Sequence, residues 1–246
     1  MSETHPSPTP PAGAREPEER PEDAPAARRP GMAGTTALAL AGAGVVALAV
    51  SWLLLGDPVQ VVPGWEESLF RTVNGWPDRL RWPLWPVMQA GTTTVGLACA
   101  VAVLVVGRRW QPAAATASAV ALAWVGAWLV KETAGRGRPV ELLHGVELRE
   151  GWRESNGFVS GHTAVGFALA TTLVAVLPGR WRLLPYPLAA LVGVARVHVG
   201  VHLPLDVVGG AGLGTACGAV ALAVFGVAGP WPGRRADAGA GPEAAA

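Results

Sequence analysis

Charge is what this chain has least of. Charged side chains make up 15% of the 246 residues, against about 25% in a soluble domain. With 50% of residues hydrophobic and a mean hydropathy of +0.33, this deficit excludes an ordinary water-soluble globule and points to a membrane protein. The 19 basic and 18 acidic side chains nearly cancel, so the basic stripe of a nucleic-acid binder is lacking and no nucleic-acid partner is expected. Cysteine occurs twice, as Cys99 and Cys217 within apolar runs. That is too few, and wrongly placed, for a disulfide framework or a metal cluster. Lysine occurs once, as Lys131, the other 18 bases being arginine. Tyrosine and phenylalanine are scarce, but Trp52, Trp82, Trp85, Trp110, Trp181 and Trp231 fall at the ends of apolar stretches, the placement of an interfacial aromatic belt.

What is present is a series of apolar windows. Residues 1–31, rich in Pro, Ala, Glu and Arg without apolar periodicity, read as a disordered tail. An acidic, proline-rich stretch ahead of the first apolar run is not the pattern of a secretory signal. A spanning helix needs about 20 mainly apolar residues. Six windows, roughly 33–55, 83–106, 112–133, 161–178, 183–201 and 205–229, meet or approach that length, the fifth carrying Arg196 and His198 near its end. They are rich in Ala and Gly, as close helix packing within lipid demands. Over 64–80, Trp65, Leu69, Val73 and Trp76 recur among Glu66, Glu67, Arg71 and Asp78, predicting a short amphipathic helix at the interface. The expectation is an all-α polytopic membrane protein. It consists of a six-transmembrane-helix bundle over 32–229, with the interfacial helix between spans one and two and a second disordered tail over 230–246.

The charges sort by loop. Arg28 and Arg29, Arg108 and Arg109, Arg180 and Arg182, and Arg234 and Arg235 all fall on one side of a six-span path. The positive-inside rule makes that side cytoplasmic, with both termini on it. The opposite loops, 56–82, 134–160 and 202–204, contain or adjoin His144, His162, His198 and His202, so any chemistry is expected to face outward. A five-span alternative would break this alternation.

Ionisable groups at the ends of spans are functional candidates. Ser160 is a good N-cap for a helix starting near Gly161 and His162, and such a helix start offers amides and a positive dipole to an anion. Ser-Gly before an apolar run is equally a plain helix start. Lys131, Arg138 and Arg196 would bring cations from three segments to that anion, arginine being suited to bidentate phosphate contact. Singly, each cation reads as a topology anchor; their coincidence on the outer side favours a site. His202 with Asp206 has nucleophile-and-orienter logic: a carboxylate on one ring nitrogen fixes the tautomer and leaves the other free to attack. Pro204 between them suits the opening of span six. The competing reading joins His198, His202 and Asp206 as a metal site, but nearby cations would oppose it. His198 reads better as structural.

Lys131-x6-Arg138-Pro139, then Ser160-Gly161-His162, then Arg196-x5-His202-x3-Asp206 resembles, in order and internal spacing, the three-part signature of the type 2 phosphatidic acid phosphatase (PAP2) family, whose catalytic core is shared with vanadium haloperoxidases. The resemblance covers about residues 60–225. Val159 stands where the family generally has proline and Ala195 where it generally has serine; these differences bear on the phosphate cradle and substrate preference rather than on reaction class.

The resemblance implies a phosphatase of lipid phosphates that works through a phosphohistidine, with no cofactor and no metal. On the matching positions, His202 would attack phosphorus, Asp206 would orient and stabilise its imidazolium, and His162 would protonate the leaving oxygen. Lys131, Arg138, Ser160, Gly161 and Arg196 would hold the phosphoryl oxygens. The expected substrate is a membrane lipid phosphate in the cytoplasmic membrane. Polyprenyl diphosphate is favoured slightly, ahead of phosphatidic acid or phosphatidylglycerol phosphate. A non-catalytic transporter or binder of an anionic head group is the alternative. A vanadate-dependent peroxidase is a further one, disfavoured because those relatives are usually soluble and larger.

Overall fold

A computed structural model describes residues 32–56, 59–151 and 155–227. The two tails read as disordered, with their arginine pairs and Trp231, lie outside the described residues. Among those described, the chain is helical without strands, as expected. Its helices are α1 (Met32–Leu53), α2 (Gly64–Asn74), α3 (Arg81–Gln89), α4 (Thr93–Gly107), α5 (Trp110–Ala134), α6 (Pro139–Leu142), α7 (Gly161–Val176), α8 (Pro185–His198) and α9 (Pro204–Val224). Short 3-10 turns at Asp78–Leu80 and Gly179–Leu183 join neighbours.

The long helices are apolar all round, so their side chains divide by size instead of polarity. On α5, Ala115, Ala119, Ala123 and Ala127 repeat every fourth residue and are buried, whereas Leu122, Trp124, Val125, Trp128 and Leu129 are exposed. Small residues let backbones approach and large ones face outward, the pattern of helices packed in lipid. The centre is α9, which packs on α1, α5 and α7. Its Gly210, Gly214 and Gly218 lie four apart on the face toward α7: a Cβ at Gly210 would come 2.6 Å from the Ser160 carbonyl oxygen, one at Gly218 would come 2.6 Å from Thr171 Cβ, and one at Gly214 would run into the Ala164 backbone.

Among the described residues, three helices, α1, α5 and α9, are long and apolar enough to cross a bilayer, and a fourth crossing arises if α3 and α4 count as one. The single second span expected over 83–106 is instead two helices bent by 49°. The physical cause is local. Pro86 lies inside α3, and Thr92 Oγ1 accepts the Val95 N–H at 3.3 Å, capping a new helix where a continuous one would have run on. Gly91 in the break allows close approach, since a Cβ there would lie 2.5 Å from the His162 carbonyl oxygen. At about 1.5 Å per residue, the 16 residues of α7 and 14 of α8 rise roughly 24 and 21 Å, less than a bilayer core of about 30 Å.

A helix, α2, occupies Gly64–Asn74 of the stretch expected to be amphipathic. Trp65 and Leu69 of α2 are about half exposed, while Glu66, Phe70 and Asn74 are buried against α8 and α9. Glu66 is drawn inward by partners distant in sequence, which apolar periodicity does not register.

Candidate active site

The end of α5 is set by Gly135, whose φ of +60° suits glycine and lets the chain leave the helix one turn after Lys131. Lys131 Nζ donates to the carbonyl oxygens of Asn156 (2.6 Å) and Gly157 (3.0 Å), and the Asn156 amide returns a bond to the Lys131 carbonyl at 3.0 Å. The lysine thereby ties α5 to the segment leading into α7. Arg138 precedes Pro139, the first residue of α6, and donates to Ser155 Oγ (2.6 Å) and O (3.0 Å). The Gly157 N–H reaches the Arg136 carbonyl at 2.6 Å.

Ser160 caps α7 as its residue type predicts: its Oγ accepts the Thr163 N–H at 3.4 Å and the Thr163 hydroxyl at 2.9 Å. The hydroxyl is wholly buried, so it serves the helix start directly. Gly161 and His162 follow as the first two residues of α7. His162 lines a polar cleft of about 170 Å³ with Arg196, Glu150, Gln89 and Arg81. Arg196, in the last turn of α8 and buried, donates to Glu150 Oε2 at 2.5 Å.

His202 sits in the turn between α8 and α9, 3% exposed, with Nδ1 3.4 Å from Asp206 Oδ2. The same oxygen accepts the Leu203 N–H at 2.8 Å, closing the first turn of α9 behind Pro204. Burial holds the His202 imidazole well below its usual pKa near 6.5, and the charges of Lys131, Arg196 and Arg138 push it further down. A neutral ring with one nitrogen turned to a carboxylate has the other free as a nucleophile. The eight residues singled out from the sequence thus come to one end of the bundle, opposite the end of α5 that carries Arg108 and Arg109.

His198 does not join His202. Its Nδ1 faces the Val73 carbonyl at 3.3 Å, its ring lies 6.3 Å from that of Trp76, and its own carbonyl accepts from Asn74 at 3.0 Å and Arg149 at 2.8 Å. Among the described residues, no group of three or more His, Cys, Asp or Glu is arranged to hold a metal. Exposed His144 and Glu147 lie outside the cleft. The loop bearing them is strapped to α2, because the Asn74 side chain exchanges two 2.9 Å hydrogen bonds with the Glu147 backbone. Glu154 lies outside the described residues.

Sequence reasoning missed two groups. Arg136, wholly buried, donates to Asp206 Oδ1 at 3.0 Å and to both oxygens of Glu66, at 2.6 and 3.2 Å. The available signal was weak: an arginine two residues before Arg138 and an acid in an amphipathic stretch.

Residues 110–229, which include Lys131 through Asp206, match the PAP2 superfamily. A comparison with curated protein sequences returned no match. Among solved structures, Aquifex aeolicus LpxE is similar at 28% identity and a TM-score of 0.58, over 63% of this chain and 93% of that one. A transmembrane PAP2-type phosphatidylglycerolphosphate phosphatase from Bacillus subtilis shares the fold at 20% identity and a TM-score of 0.59, over 75% of this chain and 93% of that one. With the motif residues gathered at one bundle end and the family match spanning all of them, residues 110–229 form a PAP2 superfamily region and the protein is a membrane phosphatase of the PAP2 type.

Proposed function

We propose that this protein hydrolyses a lipid phosphate monoester or diphosphate at the outer face of a cytoplasmic membrane, through a phosphohistidine on His202 and without a metal. The observation that carries the reading is the buried His202–Asp206 pair, with Nδ1 3.4 Å from Oδ2, under the charges of Lys131, Arg138 and Arg196. Phosphoryl transfer requires positioning and neutralisation of the equatorial oxygens, and three fixed cations supply that charge.

In the first step, His202 Nε2 forms a bond to phosphorus while the bond from phosphorus to the lipid oxygen breaks. His162 gives that oxygen its proton, and Asp206 stabilises the imidazolium. In the second step, His162 takes a proton from water, whose oxygen attacks phosphorus, and the phosphorus–nitrogen bond breaks to release inorganic phosphate. A loose apo contact such as the one between His202 and Asp206 tightens as charge develops. A six-crossing path, with α7 and α8 as short spans and α3–α4 as a bent one, would put the site and the intervening arginine pairs on opposite sides. A non-catalytic binder accounts for the cations but not for a nucleophile held by a carboxylate.

The test is phosphate release by the purified protein with EDTA present, from a panel of phosphatidic acid, phosphatidylglycerol phosphate and polyprenyl diphosphate. Turnover that disappears in His202→Ala, and a radiolabelled phosphohistidine trapped by acid-free quenching, support the reading. Dependence on added metal, or turnover surviving in His202→Ala, overturns it. The lipid hydrolysed fastest assigns the substrate.

A further inference from the structure

The PAP2 signature leaves unassigned two of the most deeply buried charges in the molecule. Glu66 on α2 and Arg136 after α5 are both 0% exposed and lie 70 residues apart in the chain. Arg136 Nη2 meets Glu66 Oε2 at 2.6 Å, and Nη1 lies between Glu66 Oε1 at 3.2 Å and Asp206 Oδ1 at 3.0 Å. Nε has no partner among the described residues, so the two carboxylates alone fix the plane of the guanidinium. Glu66 Oε1 also accepts the Leu205 N–H at 2.8 Å, holding the backbone one residue before Asp206.

Each oxygen of Asp206 consequently has a separate task. Oδ1 is taken by Arg136, and Oδ2 is left to the Leu203 N–H at 2.8 Å and to His202 Nδ1 at 3.4 Å. Two carboxylates share one guanidinium, leaving one unit of negative charge in a dry interior, where charge interactions are strong. That surplus borders the ring on which positive charge would form.

We propose that Glu66 and Arg136 are positioning residues of the hydrolytic reaction, forming a Glu66–Arg136–Asp206 chain through which α2 holds Asp206 with its second oxygen aimed at His202. The proposal rests on His202 being the nucleophile. Without Glu66, the whole guanidinium charge would fall on Asp206 and weaken its grip on the imidazolium. Without Arg136, two carboxylates would face each other across a dry gap. A lysine at 136 keeps the charge but not the planar fork that bridges two acids.

The experiment measures kcat and KM for lipid phosphate with the purified full chain, for the wild type and for His202→Ala, Glu66→Gln and Arg136→Lys, alongside thermal melting. Glutamine at 66 retains an oxygen for the Leu205 N–H while losing the charge. The expected result is a fall in kcat of about tenfold or more in both positioning variants, with KM within about twofold, since misplacement of a reacting group acts on the chemical step. A folded Glu66→Gln protein with wild-type kcat, or one whose loss falls in KM, overturns the inference. Failure of both variants to fold also overturns it, assigning the chain of charges to stability alone. An inactive wild type, or activity surviving in His202→Ala, instead defeats the phosphohistidine reading; an active wild type, a dead His202→Ala and an unaltered Glu66→Gln defeat the positioning role alone.

Discussion

The Ser160 N–H donates to the Asp206 carbonyl oxygen at 2.8 Å, joining the residue that caps α7 to the first turn of α9. His162 follows on one helix and His202 precedes the other, so this bond sets the spacing between the two histidines. It forms because Gly210, one turn further along α9, lies against the Ser160 backbone.

That close packing makes Gly214 sensitive. A Cβ there would overlap the Ala164 backbone, which no rotamer change can relieve. Gly214→Leu is expected to separate α7 from α9 and abolish both folding yield and activity, whereas Gly42→Ala, where nothing lies within 4 Å of the added carbon, leaves both intact. Monodispersity in detergent and phosphate release check the pair.

Glu150 occupies Arg196 at 2.5 Å and is itself 42% exposed. An anionic substrate or phosphate analogue reaching Arg196 has to displace this carboxylate. Glu150→Gln is therefore expected to tighten inhibition by vanadate about three- to tenfold, the scale of removing a partly exposed ion-pair competitor of about 1 kcal/mol. Unchanged or weakened inhibition contradicts the displacement.

The depressed titration of His202 has a stability consequence. The folded protein keeps the ring neutral, while the unfolded chain protonates it near pH 6.5, so below that pH the unfolded state binds more protons. Stability from this group is full above pH 6.5 and declines as pH falls, by up to about 1.4 kcal/mol per pH unit. The difference in melting temperature between wild type and His202→Gln is expected to shift in favour of the variant from pH 7.5 to 5.5; a difference constant with pH would refute the buried neutral imidazole.

Orientation is open to labelling. With Cys99 and Cys217 replaced by alanine, His144→Cys is expected to react on intact cells with a membrane-impermeant maleimide, and Arg180→Cys only after permeabilisation. The reverse pattern would invert the topology.

The sequence by itself determined what depends on short range. Ala-rich and Gly-rich apolar windows became helices, because a segment without polar side chains satisfies its own backbone in lipid. Ser160 became an N-cap through its own hydroxyl, and His202, in the turn just ahead of α9, met Asp206 in that helix's first turn because only three residues separate them. The tertiary structure decided what depends on residues far apart. Gly91, in the break between α3 and α4, came to lie against the His162 backbone, and α2 turned Glu66 inward. Arg136, read over in favour of its neighbour Arg138, became a bridge between two acids on other helices. No periodicity encodes such a pairing: a buried charge is placed by the partners that offset its desolvation, and those partners are known only once the helices have packed.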